Sequence, residues 1–387
     1  MKKFTLMAAA SLLLMVSCQR EDSPGTEAQP QSAVMEKNIK LLIDPNDINM
    51  FGGKPIENLP AKPESENNLN AKSSVFSTGL ANSEFGKSGP YGVSTDDVLG
   101  DCDSYFGTIV PIAQALGIVV DNSIKCNNDF PYGLNTDVFS SHIYYPTNIK
   151  NMGKLPVVNF VGGIMANTAM YSQMASLWAS NGYIVIVSSD FVNVLPTMHL
   201  LAFKELSNMN KNQQSPLYGK VDLSRSLISG HSAGGGATLL TGSISANTFK
   251  VIDPEIKILG AMSIEGSPIA IGLTVKVPTL FLAGMQDVIV PPFVHKLWQY
   301  DTLPQPAWTA TATTATHFSP LMETSRNEFA GLTVAWHKYL AENDPSAKSY
   351  FVGKNYKLEQ DTQFVQGGVL GLNPFKVNRN RKAEELK

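Results

Sequence analysis

From about residue 140 onward, short runs of β-branched and other apolar residues alternate with longer stretches of helical periodicity, and this alternation leaves few folds open. Tyr183-Ile184-Val185-Ile186-Val187 is apolar at every position. A strand with one wet face would alternate polar and apolar residues, so such a run belongs in a sheet covered on both sides. Comparable strand candidates are His142 to Tyr145, Leu155 to Phe160, Ser226 to Ser229, Ile256 to Ile264, Pro278 to Ala283 and Trp308 to Thr314. Helical patterns fall between them at Ala169 to Ser180, Thr197 to Met209, Gly235 to Ser243, Pro292 to Tyr300 and Glu323 to Ala341. Strand, helix and strand in succession predict an α/β fold with a mostly parallel, doubly wound sheet flanked by helices. With 30 basic against 33 acidic residues there is no positive excess to attract a polyphosphate, which argues against a nucleic-acid partner.

The N-terminus carries a different signal. Lys2 and Lys3 precede an apolar stretch from Phe4 to Val16, too short to span a bilayer core, and the stretch closes on Met15-Val16-Ser17-Cys18. This has the shape of a signal peptide over 1–17 and resembles a bacterial lipobox, in which the cysteine sulfur receives a lipid. Cys18 is therefore expected to be the mature N-terminus of an exported, lipid-anchored chain whose partner is a membrane. Residues 18–75 are rich in Pro, Asn, Glu and Ser with few apolar patches; they read as a disordered tether, because too little apolar area is there to offset ordering entropy. The α/β body is expected over 76–345, with a cysteine-bearing insertion at about 95–140 that includes the apolar run Ile109 to Val120, and a C-terminal extension over 346–387. In an oxidising compartment Cys102 and Cys126 are expected to form a disulfide, the alternative being two free thiols. A monomer is expected.

Gly230-His231-Ser232-Ala233-Gly234 is a G-x-S-x-G pentapeptide set between the end of a strand candidate and the start of a helix candidate. That is the context of a nucleophile elbow, where glycines on both sides of the serine let the chain turn sharply. A serine hydroxyl is a poor nucleophile at neutral pH and needs a base to take its proton and a carboxylate to orient that base. Downstream, Asp287 lies in the loop after the strand Pro278 to Ala283 and is the expected acid, with Glu265, just past the preceding strand, as competitor. His317, in Thr316-His317-Phe318-Ser319-Pro320, lies after the last strand and before the last helix, where a catalytic base belongs in the order Ser, acid, His. His295 and His337 fall on helix candidates and read as packing residues, as does His231 beside the nucleophile. Two backbone amides are expected to form an oxyanion hole: that of Ala233, after the nucleophile, and that of Ile164 in Phe160-Val161-Gly162-Gly163-Ile164.

Together these residues resemble the bacterial cutinase-like polyesterases, the group of α/β-hydrolases that includes poly(ethylene terephthalate) hydrolases and dienelactone-hydrolase-like lipases. The resemblance runs from about Ser140 to Leu340. It includes His142-Ile143-Tyr144-Tyr145-Pro146, the stretch from Gly163 through Leu177-Trp178-Ala179-Ser180-Asn181-Gly182-Tyr183, Val277-Pro278-Thr279-Leu280 through Asp287, and His317-Phe318-Ser319-Pro320. It implies an α/β-hydrolase fold and hydrolysis of carboxylic esters through an acyl-enzyme, with no cofactor and no metal. Such polyester hydrolases carry an aromatic residue after the oxyanion glycine and a tryptophan after the strand that precedes the acid strand. Ile164 and Glu265 stand in those places here and are the expected substrate-binding residues, ill suited to clamp an aromatic acyl group.

Other readings fail on local grounds. Ala81 stands where the first glycine of a phosphate-binding loop ending in Gly86-Lys87-Ser88 would be required, and the chain has no H-E-x-x-H motif. A catalytically silent hydrolase fold used for binding is the alternative function, but a binding module has no need of a serine, an acid and a histidine in this order.

Overall fold

The computed structural model describes residues 79–102, 123–127, 129, 139–367 and 373–386. The expected signal peptide, Cys18, the tether up to residue 75 and the run Ile109 to Val120 lie outside the described residues.

The runs that are apolar at every position are strands lying side by side. In chain order the strands are β1 (Val93–Thr95), β2 (Gly100–Asp101), β3 (Lys125–Cys126), β4 (Ser140–Pro146), β5 (Leu155–Val161), β6 (Ile184–Ser189), β7 (Val221–His231), β8 (Ile258–Ile264), β9 (Thr279–Gly284), β10 (Ala307–Ala312) and β11 (Asn378–Arg379). A nine-stranded sheet has the order β1-β4-β6-β5-β7-β8-β9-β10-β11. From β6 to β10 neighbours in this order run parallel, whereas β1, β4 and β11 join antiparallel at the two edges. Every residue of β5, β6, β9 and β10 is buried, as a sheet covered on both faces demands.

The α-helices are α1 (Leu80–Phe85), α2 (Ser172–Ser180), α3 (Thr197–Lys211), α4 (Ala233–Gly242), α5 (Ala246–Ile252), α6 (Ala330–Glu342), α7 (Pro345–Lys348) and α8 (Arg381–Glu384). Two of the expected helices begin later than their apolar patterns. Ahead of α2, residues Thr168–Tyr171 form a 3₁₀ turn capped by Asn167, whose side chain accepts the Ala169 N–H. Ahead of α6, Glu323 accepts hydrogen bonds from Ser325 and Arg326, and Asn327 accepts the Phe329 N–H, so side chains compete with the helical backbone there. The helix expected over Pro292 to Tyr300 is a π-helix at Val294–Tyr300.

The segment from 346 on, set apart above as an extension, is built into the same core. Phe351 stacks on Tyr339 with ring centroids 5.4 Å apart and meets Trp336 edge-on at 5.1 Å; Trp308 donates its indole N–H to the Phe351 carbonyl at 2.9 Å. Asp361 and Gln363 accept the N–H groups of Ala81 and Gly79, and β11 closes the sheet beside β10. At the opposite edge Cys102 and Cys126 are joined by a disulfide next to the small β2–β3 ladder. The adjoining Asn127 bonds Asn167, Asp97 and Thr168. The cysteine-bearing layer is thereby fastened to the turn that leads into α2.

Strand order reverses at β5, with β6 on one side and β7 on the other. Loops leaving the carboxyl ends of β5 and β7 therefore diverge and leave a crevice, the place where open α/β sheets bind ligands.

Candidate active site

Ser232 follows the last residue of β7 and caps α4, with φ 56° and ψ −119°, a conformation side-chain-bearing residues seldom adopt. The turn is held by neighbours on three sides. Ser232 N–H donates to Ile264 O at the end of β8, Gly234 N–H to Gly162 O beyond β5, and Ser267 N–H to Ser232 O. Glycine is needed at Gly234, where a Cβ would fall 2.1 Å from Val161 O. So tight a crossing lifts the serine side chain clear of the sheet end.

The loops after β9 and β10 bring the acid and the histidine to it. Met285 and Gln286 donate their N–H groups to Ala312 O and Ala315 O, which stitches the two loops together. Asp287 Oδ1 accepts the N–H groups of Ile289 and Val290, both at 2.8 Å, leaving Oδ2 free to face the histidine. His317 Nδ1 lies 2.7 Å from Asp287 Oδ2, and Nε2 lies 2.8 Å from Ser232 Oγ. All three side chains are buried. With the carboxylate at Nδ1, the proton sits on Nδ1 and Nε2 is left to accept from the serine hydroxyl.

A narrow recess opens onto the serine, walled by Gly163, Ile164, Ala166, Tyr171, Phe318 and Leu321 as well as His231, Ser232 and His317. Ile164 is half-buried on this wall. Among the described residues the backbone N–H groups of Ile164 and Ala233 have no acceptor within the chain, and Ala233 is the first residue of α4, so both amides can serve a ligand oxygen.

The expected substrate contact of Glu265 is not what the structure has. Glu265 is 0% exposed and lies behind the two histidines, 3.3 Å from His231 Nε2 and 3.9 Å from His317 Nδ1. Its backbone sits at φ 46°, and it is not among the residues that wall the recess. Burial, with Asp287 and Glu328 nearby, holds its carboxyl well above the usual range. Asp287 Oδ2 lies nearer to His317 Nδ1, at 2.7 Å, than Glu265 Oε2 does. His231, Glu265 and His317 offer donor atoms within 4.8 Å of one another, the constellation of a cation site, but both ring nitrogens of His317 already face Ser232 and Asp287.

Two other histidines are buried away from this centre. His199 is held by Ser229 O and Thr241 Oγ1, and burial lowers it to about 4. His337 packs edge-on against Trp178 with neither ring nitrogen hydrogen-bonded, and burial lowers it to about 3. Tyr171, which joins the turn at Gly163 to His231, was not singled out in the sequence: it carries no motif, and only the fold brings it to Gly163.

The PET hydrolase-like family model matches residues 135–367, well over half of the chain. Over 211 residues the chain is 29% identical to Cutinase 1 of Thermobifida cellulosilytica, covering 52% of this chain and 73% of that protein. It is likewise 29% identical over 211 residues to the Cutinase of Thermobifida fusca (strain YX), covering 52% of this chain and 64% of the relative. The matched span begins before β4 and ends after the loop that bears His317, so it contains the crevice and every side chain described around Ser232. The chain belongs to the PET hydrolase-like family of α/β-hydrolases and is an ester-hydrolysing serine hydrolase.

Proposed function

We propose that Ser232, His317 and Asp287 are the catalytic triad and that the amides of Ala233 and Ile164 form the oxyanion hole. The observation that carries this reading is the unbroken contact from Ser232 Oγ through both nitrogens of His317 to Asp287, 2.8 Å and then 2.7 Å. His317 takes the serine proton as Ser232 attacks the ester carbonyl, and the oxyanion is met by the two amides. The proton then passes to the departing alcohol, and water, activated by His317 in its turn, releases the acid. Asp287 keeps the imidazole in the tautomer that this cycle needs and stabilises the imidazolium.

The acyl group is aliphatic in this proposal. Ile164, Ala166 and Leu321 present small or branched aliphatic surface, and Phe318 is the recess's one wholly apolar ring. Among the described residues the recess thus has no facing pair of apolar rings to clamp an aromatic acid. The enzyme is exported and held at a bacterial membrane by lipid on Cys18, the motif at Met15–Cys18 supporting this part of the reading.

The test is turnover of p-nitrophenyl esters of graded chain length, with Ser232→Ala in parallel. Loss of essentially all turnover in the variant, and of fluorophosphonate labelling with it, is the expected result. Equal turnover by the two proteins would sink the assignment.

A further inference from the structure

Three buried side chains beside Ser232 take no part in the reaction described above. Tyr171, His231 and Glu265 are 1%, 3% and 0% exposed, and they form a line from the oxyanion turn to the base. Gly163 donates its backbone N–H to the Tyr171 hydroxyl at 2.8 Å, and that hydroxyl lies 2.9 Å from His231 Nδ1. A phenol has one proton to give, and with an N–H arriving at its oxygen that proton is directed to His231 Nδ1. Nδ1 is then the acceptor, which leaves the ring proton of a neutral His231 on Nε2. Nε2 faces Glu265 Oε2 at 3.3 Å, and the same oxygen lies 3.9 Å from His317 Nδ1.

We propose that Tyr171, His231 and Glu265 act as one positioning relay, holding the oxyanion turn at Gly163 in register with the base His317 during ester hydrolysis. This rests on the reading of Ser232, His317 and Asp287 as the triad. Two observations beyond the distances support it. First, Glu265 Oε1 and Oε2 and His231 Nε2 are buried without an aligned hydrogen-bond partner, whereas most buried polar groups have one. Second, room is kept for Glu265 at a backbone cost. The residue itself sits at φ 46°, and a Cβ at Gly284 would fall 2.7 Å from Glu265 Oε1. Strain gathered around one buried carboxyl beside a base is more easily explained by positioning than by packing, since an apolar side chain would fill the space with no desolvation penalty.

The protonation states suit the role. Burial pushes the Glu265 carboxyl well above the usual range, toward its acid form, and burial together with the neighbouring His317 pushes His231 well below the ordinary histidine range.

The test measures kcat and KM separately on p-nitrophenyl butyrate with the full chain, alongside thermal melts. Tyr171→Phe keeps the ring that packs 4.8 Å from Phe160 and removes only the hydroxyl. A fall in kcat of about three- to tenfold at unchanged KM is expected, the worth of a net hydrogen bond used in the transition state. Glu265→Gln, a neutral isostere, is expected to stay within about twofold of wild type, while Glu265→Leu falls about as far as Tyr171→Phe. Because both break one relay, Tyr171→Phe with Glu265→Leu should lose no more than either alone. Wild-type kcat in a folded Tyr171→Phe, strictly additive losses in the double variant, or Glu265→Gln as damaged as Glu265→Leu would each overturn the relay. Full activity in Ser232→Ala would instead overturn the triad reading on which the relay rests.

Discussion

Replacement of Gly230 by alanine tests whether the elbow geometry, and not the mere presence of Ser232, sets the rate. A Cβ at Gly230 would fall 2.3 Å from Gly234 O and 2.4 Å from Gly234 C, with Thr238 Oγ1 next at 2.8 Å. Side-chain carbon seldom comes nearer than about 3.2 Å to a carbonyl oxygen, so roughly 1 Å of movement is demanded. The Gly234 peptide has little freedom to supply it. Gly234 N–H is bonded to Gly162 O at 3.1 Å, and Gly234 O accepts from Thr238 Oγ1 at 2.8 Å. Movement therefore passes into the turn, where Ser232 lies midway between the two glycines. Overpacking of this kind costs about 1–3 kcal/mol of stability. A displacement of about 1 Å in the nucleophile costs on the order of 100-fold in rate. The assay is kcat on p-nitrophenyl butyrate and the rate of fluorophosphonate labelling of Ser232, with urea unfolding for stability. Gly153→Ala is the control, since no heavy atom lies within 4 Å of its added Cβ. Wild-type kcat and labelling rate in Gly230→Ala would refute the claim that backbone crossing at the elbow places the serine.

Two further outcomes follow from other parts of the fold. The Cys102–Cys126 bond spans 24 positions, so replacing both cysteines by serine should cost about 3 kcal/mol on the chain-entropy model. A lowered urea midpoint in the double variant is the expected reading, and an unchanged midpoint would show that the bond constrains nothing. The second outcome concerns pH. Burial lowers His199 and His295 to about 4 and His337 to about 3, against roughly 6.5 in the unfolded chain. A depressed histidine favours the fold fully above pH 6.5, and that advantage is lost as pH falls toward the folded value. At pH 5 each such group should cost about 2 kcal/mol relative to pH 8. Replacing His337 with phenylalanine should therefore stabilise the chain more at pH 5 than at pH 8, by about 2 kcal/mol in urea titrations. A pH-independent difference would mean that His337 is not buried in the neutral form.

The parallel centre of the sheet was legible in the sequence because its strands are covered on both faces and so are apolar throughout. Leu155 to Phe160 and Pro278 to Ala283 differ from the observed strands by a residue or so at their ends. What was not legible is defined by partners rather than by pattern. β1 and β11 are three and two residues long, too short for any period, and become strands only beside β4 and β10. The rings of Tyr350 and Phe351 look like an isolated apolar patch along the chain; Phe85 of α1 meets Tyr350, while Trp308 of β10 and Trp336 and Tyr339 of α6 meet Phe351. A π-helix at Val294–Tyr300 has an apolar spacing that a helical pattern already matches, so its wider winding leaves no separate trace.

The same contrast separates Ser232 from Glu265. The serine announces itself locally, through glycines on both sides and a strand before and a helix after. Asp287 and His317 follow from chain order, since each stands in the loop after a readable strand. Glu265 also stands just past a strand, and by position alone it reads as a charged group at the mouth of a pocket. Its actual state depends on four other places in the chain: the end of β7 with His231, the Asp287 loop, the His317 loop and Glu328 ahead of α6. None of them supplies a lysine or arginine partner among the described residues, so burial works against ionisation and holds the enclosed carboxyl well above its usual range. A carboxyl that is charged and exposed would steer substrate, whereas one that is neutral and enclosed can only position its neighbours. That difference lies in its surroundings, which is why the Tyr171→Phe and Glu265→Gln variants, rather than any motif, decide what Glu265 does.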